Sequence, residues 1–449
     1  MNIPKEYQGR YFYHFTHTDN IESIVRNGLL STNLKNRKGI VHHNIANPNI
    51  QERRSEMIVE AGSGGVVHDY VPFYFTSKNP MLLSLLYSKN IDQQFIVFMA
   101  ISIDKIMNSN VVFTDASANT AIPPHFYDDP NDLDKLHWNL IDSNRVAHLQ
   151  DDDRHFKMAE VLIYECVPIE WVDSYIVWNK ESKKIIEKSY TDVGLKAPNI
   201  SYEPFQSNKY FYFTKFCFAD RKNESLVTGP RVLYAEYRNA LEQIEKNRAH
   251  GSWENAKFTD IDNSLNVLKN NFSILPELHG IENLKTDNTV HSQTVSDHTL
   301  SVVDNVHISS FYNCLVDHDK KVVKLAAYLH DIGKGPKTKW ENEIQRAYPD
   351  HPADAIPMLI RILSEEFKTL TSEEIRDICT LVVYHDLLGD VLEKGRNKEE
   401  LVRLNLEKRM LIMLAVLSEA DIRSINPTWC FNYLHGVRLL LNGEMSKTN

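Results

Sequence analysis

Aromatic and β-branched residues crowd into short runs along the first half of the chain and give way to helical spacing in the second. The runs are residues 9–15, 71–75, 95–101, 160–164 and 174–178, each bounded by Asn, Asp, Pro or Gly, and they predict strands. Between the first two, residues 19–28 place apolar side chains at helical spacing, with Asp19 as a candidate N-cap and Gly28 as a stop. Strands interleaved with short helices predict an α+β domain.

From about residue 232 the pattern changes. Residues 237–249 and 259–272 read as amphipathic helices, and 321–330 is apolar on most sides, as a buried helix would be. Thr371 and Glu374 have the spacing of a capping box, with Ile375, Ile378 and Val382 following on one face. A further long helix is predicted over 404–422. The second half therefore reads as all-α. The polar stretch 219–230, ending Gly229-Pro230, marks a linker. The expected organisation is a domain over 1–220, a linker over 221–235 and a helical domain over 236–449.

Composition narrows the class. The apolar share of 42% with 24% charged residues is that of a globular chain. No stretch approaches the roughly 18 apolar residues that span a bilayer, and the first residues lack a signal-peptide pattern, so a cytoplasmic protein without membrane contact is expected. Cys166, Cys217, Cys314, Cys379 and Cys430 stand singly, which speaks against both a zinc knuckle and a disulfide framework. The net charge of −10 excludes a broadly basic nucleic-acid surface. Any such contact must be local, and Lys35, Arg37, Lys38, Arg53 and Arg54, in a loop-like stretch near the chemistry described below, are candidates for it.

Chemistry is most legible in the second half. His330-Asp331 ends the buried helix and is followed by Ile332-Gly333-Lys334, while His298, His351, His385 and Asp421 fall in or beside other predicted helices. Any one histidine of this set is unremarkable. Imidazoles and carboxylates converging from separate helices are what a divalent cation doing hydrolytic work requires. The segments 294–300, 329–335 and 419–423 resemble the HD superfamily of metal-dependent phosphohydrolases, and in particular the uridylyl-removing domain of bacterial uridylyltransferases, over about 290–430. That resemblance makes His298, His330, Asp331 and Asp421 the core ligands of a divalent metal (Mn, Mg, Fe or Zn). His351 and His385 would serve a second metal or a phosphate, with the register of His385 against Asp386 left open. It implies a nucleotide substrate.

The first half shows fewer overt spacings. Glu160 opens an otherwise apolar strand, and a carboxylate there needs a partner, Arg154 or Lys157, or a task. Read together, the segments 13–17, 20–21, 28–30, 50–54, 68–75, 80–82, 154 and 157–160 resemble the DarT family of DNA ADP-ribosyltransferases, in family order. The resemblance implies NAD as co-substrate and a base, thymine, in single-stranded DNA as acceptor. It assigns Glu160 as the catalytic carboxylate with Arg54 or Arg53 beside it, and Arg154 as a nucleic-acid contact. His14, Thr16, Asn20, Gly28, Leu29 and Tyr74 would hold the cofactor. Tyr70 and Phe73 are candidates for base stacking or, more simply, for the core. It also implies a toxin or phage-defence effector, with a separate antitoxin as a partner and the HD domain as regulator or second enzyme. Two alternatives stand beside it: a transferase acting on RNA or protein, and an HD hydrolase whose first half only senses NAD.

Overall fold

The computed structural model describes residues 2–443 apart from 44, 46–47, 120–122, 147–148, 203–210, 214–227, 252, 288–292 and 347. The chain divides into two units, 1–226 and 227–449. Most of the expected 219–230 linker, and Cys217, lie outside the described residues.

The first unit is built from β1 (Tyr11–His17), α1 (Ile21–Asn27), β2 (Leu29–Leu30), α2 (Thr32–Lys38), α3 (Pro48–Glu56), β3 (Tyr70–Tyr74), α4 (Pro80–Tyr87), β4 (Ile96–Ser102), β5 (Val111–Thr114), β6 (Phe126–Tyr127), α5 (Trp138–Ile141), α6 (Asp151–Lys157), β7 (Glu160–Tyr164), β8 (Cys166–Val167), β9 (Ser174–Val177), α7 (Lys180–Thr191) and β10 (Asn199–Tyr202). Eight strands form one sheet in the order β10-β9-β4-β1-β3-β7-β5-β6, and β2 pairs with β8. All pairings in the large sheet are antiparallel except β9–β10.

Antiparallel partners directly opposite each other share a face, and successive residues alternate faces. Phe12, Phe73, Met99, Phe113 and Tyr175 accordingly fill one core, and Tyr13, Phe15, Tyr74 and Phe98 another on the opposite side. The joint that matters lies between β1 and β3. Their ladder contains a single pair, Tyr13↔Tyr74, whereas β1–β4 runs from Tyr11 to His17 and β3–β7 from Tyr70 to Glu160. Beyond that pair no ladder pairing joins the two strands among the described residues, which leaves a split in the hydrogen bonding of the sheet beside Tyr74 and its β7 partner Glu160.

Five strands match the expected runs to within two residues at either end. The unexpected ones are short (β2, β6, β8, β10) or, like β5, buried throughout and so without the alternation that reveals a strand. Gly28 does close α1, at φ +78°, and a Cβ there would sit 2.7 Å from the Val167 carbonyl oxygen of β8.

The second unit contains α8 (Pro230–His250), α9 (Ile261–Asn270), α10 (Pro276–His279), α11 (Val295–Asn305), α12 (Asp317–Leu329), α13 (His351–Glu365), α14 (Ser372–Val383), α15 (Leu387–Glu393), α16 (Glu399–Leu404), α17 (Lys408–Ile425) and α18 (Cys430–Leu441). Among the described residues its departures from an all-helical description are a two-residue pairing of β11 (Lys285–Thr286) with β12 (Ile344–Gln345) and an isolated bridge between Phe258 and Phe367. Three boundaries differ from expectation, for local reasons. Pro230 opens α8 rather than closing a linker, because a first-turn proline lacks only an N–H that would have no helical partner. Helix α12 starts at Asp317, with acidic residues in its first turn. The stretch predicted as one helix over 404–422 is broken at Asn405, which is left-handed (φ 45°) and caps α16 before α17 starts. The Thr371–Glu374 capping box forms as expected, and a second, Thr294–Asp297, starts the helix that carries His298.

These close approaches generate a prediction. A Cβ at Gly333, in the turn after His330-Asp331, would collide with the His351 carbonyl of α13. Gly333→Ala is expected to lower unfolding stability by about 1–3 kcal/mol or more, measured by denaturant titration. An unchanged midpoint would show that the turn and α13 are not held this tightly.

Candidate active site and metal centre

Register brings Glu160 to the split: Tyr13 faces Tyr74, and Tyr74 faces Glu160. The carboxylate is fully buried and is held by two residues. Arg54, from α3, donates Nη1 to Oε1 and Nη2 to Oε2, both at 2.9 Å, and the Ala118 amide donates to Oε1 at 2.9 Å. Nη1 also reaches the Ala118 carbonyl at 3.2 Å. At the strand start, the Glu160 amide donates to Thr114 Oγ1 at 3.0 Å, and that hydroxyl donates to the Ala116 carbonyl at 2.6 Å. Burial opposes the Arg54 charge, and Glu160 more than offsets this, so the guanidinium is held above its usual range. Taking one of two buried charges away costs far more than the pair is worth, because the survivor is left desolvated.

Around this pair, Tyr74 is buried, with its hydroxyl on Met81 Sδ at 2.9 Å; burial and then Glu160 raise its pKa. His14 points to the opposite side of β1 from Tyr13. Its Nδ1–H donates to the Pro72 carbonyl of β3 at 2.8 Å, which leaves Nε2 as an acceptor. Burial lowers its pKa to about 4, so the ring is neutral at pH 7. Thr16 lies on that same side. Its Oγ1 accepts from Asn20 Nδ2 at 2.9 Å, and Asn20 also holds His43 through both backbone groups.

Several expected site residues take other positions. Arg53 is exposed while Arg54 is buried against Glu160. Arg154 lies on exposed α6 with Asp151 at 3.2 Å, and Lys157 caps three carbonyls of the 140–143 turn. The partner of Glu160 is therefore neither of the two nearest in sequence. Leu29 is buried in the core, and Gly28 packs against β8. Tyr70 and Phe73 are buried too and present no stacking face. The Ala118 amide and Thr114 were not anticipated, since a backbone donor has no side-chain signature.

In the second unit, His298 (α11), His330 and Asp331 (end of α12), His351 (start of α13), His385 and Asp386 (after α14) and Asp421 (α17) converge. Two sets have ligand atoms within 4.8 Å of one another: His298, His330 and Asp421, and Asp331, His351 and His385. Asp386 joins a third set with His385 and Asp421, so both residues left open in the sequence face the centre.

Hydrogen bonding decides how these imidazoles are presented. His330, His351 and His385 each donate Nδ1–H to the carbonyl three residues earlier, at 2.8, 2.7 and 2.7 Å. His298 Nδ1 is 2.8 Å from Ser424 Oγ, whose proton goes to the Asp421 carbonyl, so His298 donates as well. A neutral imidazole with its proton on Nδ1 turns a lone pair outward on Nε2, the form in which histidine binds metal. All four Nε2 atoms face the centre. His330 Nε2 is buried without a hydrogen-bond partner, and the Nε2 atoms of His351 and His385 lie 3.0 Å apart, lone pair towards lone pair. Lys334 Nζ, 2.6 Å from Asp331 Oδ2, adds a positive charge. Burial raises the Asp331 pKa, but Lys334 and His330 outweigh it and hold the carboxyl well below its usual range. Burial opposes a charge on His330, but Asp331 and Asp421 outweigh it and raise its pKa to about 9, so a divalent cation would take the place of that proton. Four Nε2 donors and three carboxylates fit such a cation, with room in the set for two.

Comparison with known proteins finds a family match in each unit. Residues 13–212 match the family described as ssDNA thymidine ADP-ribosyltransferase, DarT, and residues 291–422 match the HD domain. The chain is 31% identical over 185 residues to the DNA ADP-ribosyl transferase of Escherichia coli O127:H6, which covers 39% of this chain and 84% of that protein. It is 27% identical over 188 residues to the bifunctional uridylyltransferase/uridylyl-removing enzyme of Ruegeria pomeroyi, covering 37% of this chain and 18% of that one. Among solved structures, Thermus sp. 2.9 DarT in complex with ADP-ribosylated ssDNA is 27% identical, covering 45% of this chain and 97% of that chain with a TM-score of 0.40.

Two measurements check the site. Arg54→Ala is expected to cost about 3–5 kcal/mol of stability by stranding a buried carboxylate, and much of that loss should return in the double variant with Glu160→Gln; additive losses in a thermodynamic cycle would contradict the pairing. Asp331→Ala, which removes the carboxylate shared between the two halves of the centre, should strip divalent metal from the purified chain by elemental analysis. Unchanged metal content would remove these residues from metal binding. The chain belongs, through its first unit, to the DarT family of single-stranded-DNA thymidine ADP-ribosyltransferases, and it carries an HD domain in its second.

Proposed function

We propose that the first unit transfers ADP-ribose from NAD to a thymine base in single-stranded DNA, with Glu160 as the catalytic carboxylate and Arg54 as its partner. The observation that carries this reading is the buried bidentate Arg54–Glu160 pair at the split of the sheet. Cleaving the nicotinamide glycosidic bond develops positive charge on the ribose, as in other oxocarbenium-like reactions. A carboxylate accepting a hydrogen bond from the ribose 2′-hydroxyl stabilises that charge. Oε2 suits this task, since among the described residues Arg54 Nη2 is its one hydrogen-bond donor while Oε1 is already held twice. Glu160 is fully buried, so a sugar reaches it only once Arg54 or the turn carrying Ala118 gives way.

A displaced Arg54 then has a second use. The thymine ring nitrogen is a poor nucleophile until it sheds its proton, and a guanidinium beside the base favours the anion. Single-stranded DNA is the suitable acceptor because the same edge is blocked in a pair, and unpairing costs a few kcal/mol. His14 presents a neutral Nε2 to accept from a ribose hydroxyl, Thr16 and Asn20 set the strand beside it, and Tyr74 flanks the reacting centre. Arg154, exposed on α6, is free to meet a strand phosphate by exchanging its surface partner Asp151.

The second unit is proposed to be a metal-dependent phosphohydrolase acting on a nucleotide. His298, His330, Asp331 and Asp421 would hold one cation, and His351, His385, Asp386 and the shared Asp331 a second. A cation there would lower the pKa of bound water and draw charge from a phosphoryl oxygen. The hydrolase would then restrain a toxic or phage-defence transferase in the cytoplasm, alongside or in place of a separate antitoxin.

The test uses NAD labelled in its adenine moiety. Label should appear on a thymidine-containing single-stranded oligonucleotide, stay off the matching duplex, and fall by at least about a thousandfold in Glu160→Ala, the scale of losing an electrostatic stabiliser. Label on RNA or protein alone would overturn the acceptor. No transfer, with metal-dependent nucleotide hydrolysis intact, would make the first unit a sensor.

A further inference from the structure

Among the described residues, one set of three metal-ligating side chains meets outside the HD centre. His17 ends β1, Asp19 lies in the turn that follows it, and His43 comes from the segment after α2. Each offers one ligand atom, and the three atoms lie within 4.8 Å of one another. Asp19 Oδ2 is 3.2 Å from His17 Nδ1 and 3.8 Å from His43 Nδ1. The two imidazoles stack, with centroids 4.1 Å apart and planes 16° from parallel.

Local bonding sets these donors up. The Asp19 amide donates to His17 Nδ1 at 3.0 Å, so that nitrogen carries a lone pair and the ring proton sits on Nε2. His17 is buried, with Phe95 packed against it. An imidazole lone pair and a carboxylate oxygen thus face each other at 3.2 Å, an arrangement that calls for a cation. His43 is fixed by its backbone: Asn20 Oδ1 accepts its N–H at 2.7 Å, and Asn20 Nδ2 donates to its carbonyl at 2.9 Å. Its ring is only half-buried and has room to tilt.

The spacing fits a small transition-metal ion. Tetrahedral ligands about 2.0–2.1 Å from zinc stand about 3.3 Å from one another. The edge between His17 and Asp19 already has that length, and the edge between His43 and Asp19 is about 0.5 Å too long. Tilting His43 out of the stack closes the gap, while the Asp19 amide passes from His17 to water. Two nitrogens with one oxygen select ions of the zinc class over magnesium or calcium, which prefer oxygen ligands. Three protein ligands leave a further position for water.

We infer that His17, Asp19 and His43 form a site for a divalent transition-metal ion of the zinc class, distinct from the HD centre. The ion would fasten the segment after α2 to the end of β1. Asn20, which holds His43, also donates to Thr16 Oγ1, so the fastened segment adjoins Thr16.

Cobalt(II) is the probe, because it occupies zinc sites and reports its ligands by absorption. Bound Co2+ per chain is measured by elemental analysis after dialysis, for the full chain and for its His43→Ala and Asp19→Asn variants. Each is prepared with and without Asp331→Ala, so that metal held by the HD centre is accounted for. Both first-unit variants are expected to bind one Co2+ fewer than their parent in either background. Zn2+ should displace that ion from the parent, and excess Mg2+ should not. Asp19→Cys tests the site by a gain of signal. Its thiolate should give a near-ultraviolet sulfur-to-cobalt band, absent from the unmodified chain and lost again when His43→Ala is added. Equal Co2+ content in the parent and both variants would overturn the site, and so would an Asp19→Cys chain without the band.

Discussion

The first unit is organised around one buried ion pair. Glu160 and Arg54 come from positions 106 residues apart and meet with two hydrogen bonds where β1 and β3 part. A desolvated carboxylate is tolerated there only because a planar guanidinium matches both of its oxygens and a backbone amide takes up further capacity. Lysine could not supply that fork. The pair holds α3 to the sheet and keeps the turn at Ala118 closed over the carboxylate. In the proposed mechanism the same two groups serve sugar and base in turn. The strain of burying charge is thus placed where substrate can relieve it.

The second unit solves a related problem with imidazole donors. Three of its four central imidazoles give Nδ1–H to the carbonyl three residues earlier; for His330 and His385 that carbonyl lies in the last turn of a helix, and for His351 it is that of Tyr348, just before α13. Helix termini therefore act as clamps that fix tautomer and ring direction together. Gly333 is the steric counterpart of this arrangement, since it lets the turn after His330-Asp331 lie against α13. The carboxylates and the opposed Nε2 atoms then create a demand for positive charge that Lys334 meets only in part.

What the chain reveals without coordinates follows from how far each signal reaches. Runs such as 95–101 and 160–164 announce strands because apolar side chains must be buried on a known period, and the helical second half is legible for the same reason. Strand β5 escapes notice because it is short and buried on both faces. The centre built on His330-Asp331 stands out because its chemistry needs rare residue types together. Asp386 was ambiguous because it adjoins His385 at a helix end, where period says nothing about direction. Choosing between Arg53 and Arg54 needs the rotation of α3, and only one of them turns inward. Donors such as the Ala118 amide leave no trace in residue identity.

The claim on which the account turns is that the Glu160 carboxylate works through the ribose 2′-hydroxyl. A double cycle tests it: transfer rates for the unmodified chain and Glu160→Gln, each with NAD and with an analogue lacking the 2′-hydroxyl of the nicotinamide ribose. The account predicts that either change alone removes most of the rate and that the second then costs little more. Losses that multiply independently would show that the carboxylate and the hydroxyl never meet.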